Sequence, residues 1–188
     1  RVLDALERSG AAKNTLVLFT SDNGPAPYAH ADMAKHGHPS SGPLRDHKGS
    51  MYEGGHRVPF IVRWPGVVKA GTVEKRMVSN LDFAETFLDA AGLEAAKGMQ
   101  GKSFVPLLAG ESSKDLRTSF YYHYYEGEHR EHHVPKHEGV TIGDAKLIRF
   151  YTIGEWQMFD LKNDPHELKN VWDDPKYGDM QEQLLAEL

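Results

Sequence analysis

The sequence predicts an α/β fold. Residues 1–113 read as a sheet with helices packed on it, and residues 114–188 as a small antiparallel-sheet subdomain with a C-terminal helix. Three observations predict this. A helical start leads into Leu16–Thr20, a nearly continuous apolar run of the kind that suits burial on both faces of a parallel sheet. The chain changes character near residue 114, where short segments rich in Tyr, Phe and Trp begin to alternate with polar connections. With 188 residues, 39% of them hydrophobic, the chain is long enough to bury a core.

The elements follow in order. Residues 1–9 carry helical spacing and Ser9-Gly10 stops them. After the Leu16–Thr20 strand, Gly24 to Glu53 is rich in Gly, Pro, Ser and His without periodicity, which predicts a long loop, and loops of that length tend to be functional. Arg57–Trp64 predicts a second strand closed by Pro65-Gly66. Ser79-Asn80 caps a helix with Leu81, Ala84, Phe87, Leu88 and Ala91 at helical spacing, and Gly92 ends it. Thr118–Tyr125, Lys146–Thr152 and Trp156–Leu161 predict three antiparallel strands. Asp164-Pro165 opens a turn, and residues 176–188 form the last helix. Trp64, Phe87 and Trp156 are expected as core or interface anchors.

Composition excludes several function classes. A formal net charge of -5 gives no basic footprint for nucleic acid, and no run of eighteen apolar residues offers a membrane span. Zero cysteines removes disulfides, Cys-ligated zinc and thiol chemistry from this chain. Arg1–Glu7 reads as the middle of an amphipathic helix without a cap, so the chain is read as a piece of something longer.

Two stretches carry chemistry. Ser21-Asp22-Asn23-Gly24 falls just past the carboxyl end of the first strand, where open α/β sheets bind ligands. An Asp carboxylate and an Asn carbonyl are hard oxygen donors for Ca²⁺ or Mg²⁺, yet Asn-Gly is also a common turn dipeptide, and both readings stay open on these residues alone. In Asp46–Pro59, glycines on both sides of Tyr52-Glu53 let backbone approach a ligand closely, and Lys48 offers a compact positive charge for an oxyanion. The same stretch also reads as a Gly-rich surface loop with a solvated Lys.

Taken together, LFTSDNG, KGSMYEGGHRVPFIVRWPG, NLDFAETFLDAAG, QGKSFVPLLAG and FDLKNDPHELKN occur in an order that resembles the sulfatases of the alkaline phosphatase superfamily. The resemblance runs from residue 18 to about 170. It implies an alkaline-phosphatase-like sheet, with Asp22 and Asn23 as ligands of an active-site Ca²⁺ and Lys48 as the catalytic lysine that contacts the substrate sulfate. Glu53, His56 and Arg57 would belong to a supporting loop. It also implies a formylglycine nucleophile, made from Cys or Ser within Cys/Ser-x-Pro/Ala-x-Arg, which is expected outside this chain in the remainder of the sulfatase. This piece alone is therefore expected to have no turnover.

The block YYHYYEGEHREHHVPKHEGV, residues 121–140, has aromatic and His residues suited both to half-buried packing and to a sugar subsite. With KLIRFY and EWQMFDL after it, the block is similar to the C-terminal subdomain of bacterial sulfatases acting on N-acetylglucosamine-6-sulfate. His123 and His137 are the candidate contacts to a sulfated carbohydrate. Two alternatives stand beside this reading: a phosphodiesterase-type member of the superfamily and a non-catalytic glycan-binding remnant. The resemblance also implies a periplasmic or secreted protein.

Overall fold

The computed structural model describes residues 1–112, 116–126 and 134–188. The expected boundary at 113/114 and His129, His132 and His133 of the aromatic block lie outside the described residues. In chain order the elements are α1 (Val2–Arg8), β1 (Val17–Thr20), α2 (Pro27–Lys35), α3 (Glu53–His56), β2 (Phe60–Arg63), α4 (Phe83–Ala90), α5 (Val105–Leu108), β3 (Ser119–Tyr124), β4 (His137–Ile142), β5 (Ala145–Phe150), β6 (Glu155–Asp160) and α6 (Gly178–Glu187). They fall into two units. One comprises Arg1–Thr20 and Pro59–Arg117, the other Ser21–Val58 and Thr118–Leu188.

In the first unit β1 pairs with β2, and the pairing is antiparallel, with Val17 opposite Arg63 and Thr20 opposite Phe60. This corrects the expected parallel arrangement. An apolar run signals burial but carries no strand direction. The expected burial on both faces is also corrected: the cross-strand neighbours Phe19 and Ile61 are 64% and 61% exposed. Phe104, Leu107 and Leu116 form the core here, with Phe60, Val78, Phe83 and Leu108 packed against them.

The helix expected after Ser79 forms behind a capping box: Asp82 accepts from the Ser79 amide at 2.8 Å. Its buried side chains are polar, however. Thr86 donates to the Asp82 carbonyl at 2.6 Å and accepts from the Phe104 amide at 3.1 Å. Glu85 accepts from the Gly101 amide at 2.6 Å, and Arg117 donates to Asp82 at 2.6 Å. Phe87, expected as an anchor, is 48% exposed, because the helix turns its hydrogen-bonding side inward to bind the 101–104 backbone.

The second unit is built on a four-stranded antiparallel sheet in the order β3-β4-β5-β6. Strand alternation gives it two apolar faces. Ile148, Phe150 and Phe159 pack with Met51 and Tyr52 on one face. On the other, Val140, Leu147 and Met158 pack with Val171 and with Leu184 of α6. Four strands form where three were expected. The added one, β4, is masked in sequence by Gly139, which breaks the β-prone pattern. The glycine is required there, since a Cβ would lie 2.3 Å from the Leu147 carbonyl oxygen and 2.4 Å from the Met51 sulfur.

The loop expected from Gly24 to Glu53 also contains α2. Pro27 reads as a loop residue but is preset for the first helical turn, where its missing N–H costs nothing. No residue of α2 is buried, so no apolar periodicity marks it in the sequence.

Candidate active site

The site is assembled by backbone contacts within the second unit. The Ser21 hydroxyl donates to the Asn23 carbonyl at 2.9 Å, closing the turn that follows β1. Asp22 is exposed and Asn23 half-buried. The Asn23 amide nitrogen donates to the Gly24 carbonyl at 3.0 Å, which leaves its side-chain oxygen facing the other way as an acceptor. The chain then docks on the second motif. Gly24 N–H donates to the Gly55 carbonyl at 2.8 Å, and Lys48 N–H donates to the Pro25 carbonyl at 3.0 Å. Only a glycine permits the first contact, because a Cβ on Gly24 would lie 1.9 Å from the Gly54 oxygen. The structure thus brings Asp22-Asn23 and the Lys48 loop together.

The Lys48 loop is folded on itself. Gly54 N–H donates to the Arg45 carbonyl at 2.8 Å, and Gly55 N–H to the Tyr52 carbonyl at 2.8 Å. Ser41 donates to the Asp46 carbonyl at 2.8 Å, across a turn in which Asp46 takes a left-handed φ of 68°. The Lys48 side chain is half-buried and makes no hydrogen bond or ion pair with the described residues, so its ammonium is available to an anion.

Beneath the loop lies a charge cluster that sequence reasoning missed. Lys146 on β5 is fully buried and donates to Glu53 Oε1 at 2.7 Å, Glu167 Oε1 at 2.8 Å and the Met51 carbonyl at 2.9 Å. Glu167 Oε2 accepts from the Glu53 amide at 2.7 Å, and Arg57 donates to Glu53 Oε2 at 2.9 Å. Burial alone would push the Glu53 carboxyl up, but the adjacent Lys146 ammonium outweighs it and holds Glu53 below the usual carboxylate range. For Glu167, burial prevails over Lys146 and the carboxyl is held above that range. A signal existed: Lys146 shares its strand face with Ile148 and Phe150, and a Lys on an apolar face calls for buried carboxylates.

His56 stacks on Phe120 with ring centroids 5.6 Å apart and on Tyr122 at 6.3 Å, with Nε2 3.7 Å from Glu53. Burial, and then repulsion from Lys146, push its pKa down to about 4. Glu53, His56 and Arg57 thus form one support with Lys146.

Of the two sugar-contact candidates, His137 lies on the sheet face that packs against Met51 and Tyr52 and feels the charge of Asp46, whereas His123 is turned to the other face. His137 is fully buried, its ring 5.7 Å from Tyr122, 5.4 Å from Tyr124 and 5.2 Å from Phe150, and Nδ1 lies 2.8 Å from the Pro135 carbonyl. As the first residue of β4 it points into the aromatic side of the sheet. His123 is exposed and lies 3.1 Å from the Tyr151 hydroxyl. By strand alternation it faces away from Tyr122 and Tyr124, on the opposite side from His56.

Ser41-Gly42-Pro43-Leu44-Arg45 satisfies the letters of the Ser-x-Pro-x-Arg pattern that was expected only outside this chain. Its residues are committed elsewhere. Ser41 holds the Asp46 turn, while Arg45 donates to the Glu167 carbonyl at 2.5 Å and lies 3.8 Å over the Tyr52 ring.

Adjacent hard-oxygen donors docked against a Gly-rich loop with an available ammonium are chemically suited to meet a cation and an anionic group side by side. The chain belongs to the sulfatase family: residues 46–188 match the family described as N-sulphoglucosamine sulphohydrolase, C-terminal. It is 39% identical over 188 residues to an N-acetylglucosamine-6-O-sulfatase of Bacteroides thetaiotaomicron, covering 98% of this chain and 31% of that protein. It is 36% identical over 166 residues to the N-acetylgalactosamine-6-sulfatase of Mus musculus, covering 87% of this chain and 29% of that protein. A solved structure in complex with its substrate D-glucosamine-2-N,6-O-disulfate superposes with a TM-score of 0.84 at 38% identity, over 100% of this chain and 36% of that one. The chain spans about a third of the length of the curated relatives it matches. Among the described residues no helix is long and apolar enough to cross a membrane.

Proposed function

We propose that this chain is the C-terminal portion of a sulfatase whose complete form hydrolyses sulfate esters of a carbohydrate, with 6-sulfated N-acetylglucosamine as the substrate class. The observation that carries the proposal is the docking of the Asp22-Asn23 turn on the Lys48 loop through the Gly24–Gly55 and Lys48–Pro25 bonds. Relatives named as carbohydrate sulfatases support the substrate class and favour it over a phosphodiesterase or a glycan-binding remnant.

In this reading the Lys48 ammonium meets the sulfuryl oxygens. Charge grows there as the S–O bond to the sugar breaks, so a fixed cation stabilises the transition state more than the ground state. Asp22 and Asn23 would hold a Ca²⁺. Their donor chemistry fits: an exposed carboxylate beside an amide whose nitrogen is already engaged, presenting its oxygen. No group of three or more His, Cys, Asp or Glu that could hold a metal occurs among the described residues, so these two would supply part of a larger ligand set. When bound, the ion would add Lewis-acid polarisation of the ester oxygens.

The formylglycine nucleophile would come from the remainder of the enzyme. His123, an exposed imidazole, and His137, whose buried Nε2 has no hydrogen-bond partner among the described residues, are the contacts to the sugar in this reading. A sulfated glycan as substrate supports export to the periplasm or the cell exterior. Calcium titration of the complete enzyme tests the proposal. Asp22→Ala should raise the Ca²⁺ needed for half-activation by more than about tenfold; an unchanged calcium dependence would remove Asp22 from the site.

A further inference from the structure

We infer that Lys146 and Glu167 are positioning residues for Lys48, acting from the antiparallel sheet through the backbone of residues 45–53; the inference rests on the reading of Lys48 given above. All three ammonium protons of Lys146 are used, on Met51 O, Glu53 Oε1 and Glu167 Oε1. Glu167 answers from the other side, accepting the Glu53 amide proton through its carboxylate and an Arg45 guanidinium proton through its main-chain carbonyl. The loop that carries Lys48 is therefore gripped at residues 45, 51 and 53 by two residues far from it in sequence.

Two features point beyond ordinary packing. Burying an ammonium with two carboxylates costs desolvation that apolar side chains of the same volume would avoid, so stability alone gives no reason for an ionic grip. Glu167 also adopts a left-handed φ of 56°, an uncommon conformation for a residue with a side chain. What directional bonds at three points supply is a fixed backbone on either side of Lys48. A general cation in place would serve binding; a cation held within a fraction of an ångström serves the transition state.

The test is a double-mutant cycle in the complete enzyme with N-acetylglucosamine-6-sulfate as substrate. Glu167→Gln keeps the volume and the Lys146–Glu53 pair. It is expected to lower kcat about tenfold with little change in KM. In a Lys48→Ala background the same change is expected to lower kcat no further, which a purely structural role would not produce. Thermal melting accompanies each variant; should Glu167→Gln fail to fold, Glu167→Asp, which withdraws the carboxylate while keeping its charge, takes its place with the same expectations. Full kcat in Glu167→Gln alongside loss in Lys48→Ala overturns this inference and leaves the site reading standing, as does a loss that multiplies in full on the Lys48→Ala background. Full activity in Lys48→Ala overturns the site reading and this inference with it.

Discussion

The amide of Gly24 donates to the carbonyl of Gly55 at 2.8 Å, and that bond joins the two motifs that carry the proposed chemistry. It fixes where Asp22 and Asn23 stand relative to the loop of Lys48 before any ligand arrives. The glycine is there because two backbones approach more closely than any side chain allows.

Gly24→Ala should therefore separate the two motifs. The new methyl would lie 1.9 Å from the Gly54 oxygen, and backbone cannot yield as a flexible side chain can. The expected cost is about 1–3 kcal/mol of stability, as for other overpacked sites. Activity of the complete enzyme should fall by more than that stability loss explains. Urea unfolding together with a turnover assay measures both, and wild-type activity in the variant would show that the docking is dispensable.

Removing the charge at Lys146 should be costly in a recognisable way. Lys146→Met leaves the buried Glu167 carboxylate without its cation and Glu53 with Arg57 alone, with an expected loss of about 3–5 kcal/mol. Adding Glu53→Gln and Glu167→Gln to the same protein removes the orphaned charges and should restore most of the midpoint in denaturant. If the triple variant is no more stable than the single one, the cluster is not what sets the loss.

His56 predicts a pH dependence. Unfolded, it titrates near 6.5; folded, it titrates at about 4. Between those values the unfolded chain binds a proton that the folded chain refuses, so the stability His56 contributes is complete above about pH 6.5 and is lost as the pH falls toward 4. Glu53, held low, loses its contribution further into the acid range. Glu167, held high, works in the opposite sense. Comparison with His56→Phe isolates the His term, since a phenyl ring preserves the stack on Phe120 and Tyr122 but takes no proton. The fall in thermal midpoint from pH 6.5 to 4 should be smaller in the variant; equal falls would mean that His56 is not the group responsible.

Much of this site was legible because its motifs are local. Asp22-Asn23 follows an apolar run and Lys48 sits among glycines, which marked them as candidates, while the order of five segments favoured a site over a turn and a surface loop. What sequence hid were relationships between distant positions. Lys146 and Glu167 meet Glu53 only once β5 and the turn after Asp164 have packed; Lys146 on an apolar strand face calls for buried carboxylates, but nothing local says which. Strand β4 was hidden by Gly139, which looks like a breaker yet is there so that Met51 can lie against the strand. The direction of β1 against β2 and the burial of His137 depend on pairing partners that periodicity does not specify.

The Ser41-Gly42-Pro43-Leu44-Arg45 segment supplies a prediction of a different kind. Because Ser41 and Arg45 are committed to holding the loop, peptides covering residues 41–45 should carry an unmodified serine. Mass spectrometry of the complete protein should find formylglycine at a position outside these 188 residues. A formylglycine at Ser41 would overturn the assignment of this segment to scaffolding.

The most direct test of the central claim is the turnover of Lys48→Ala in the complete enzyme on N-acetylglucosamine-6-sulfate. The Lys48 side chain makes no bond with the described residues, and Ala keeps the backbone bond to Pro25, so thermal stability should be unchanged while kcat falls about a hundredfold, corresponding to ~3 kcal/mol of lost transition-state stabilisation. A variant that melts like the wild type and turns over within about twofold of it would contradict the account, because a rate change that small lies far below the ~3 kcal/mol expected of a group meeting the reacting oxygens.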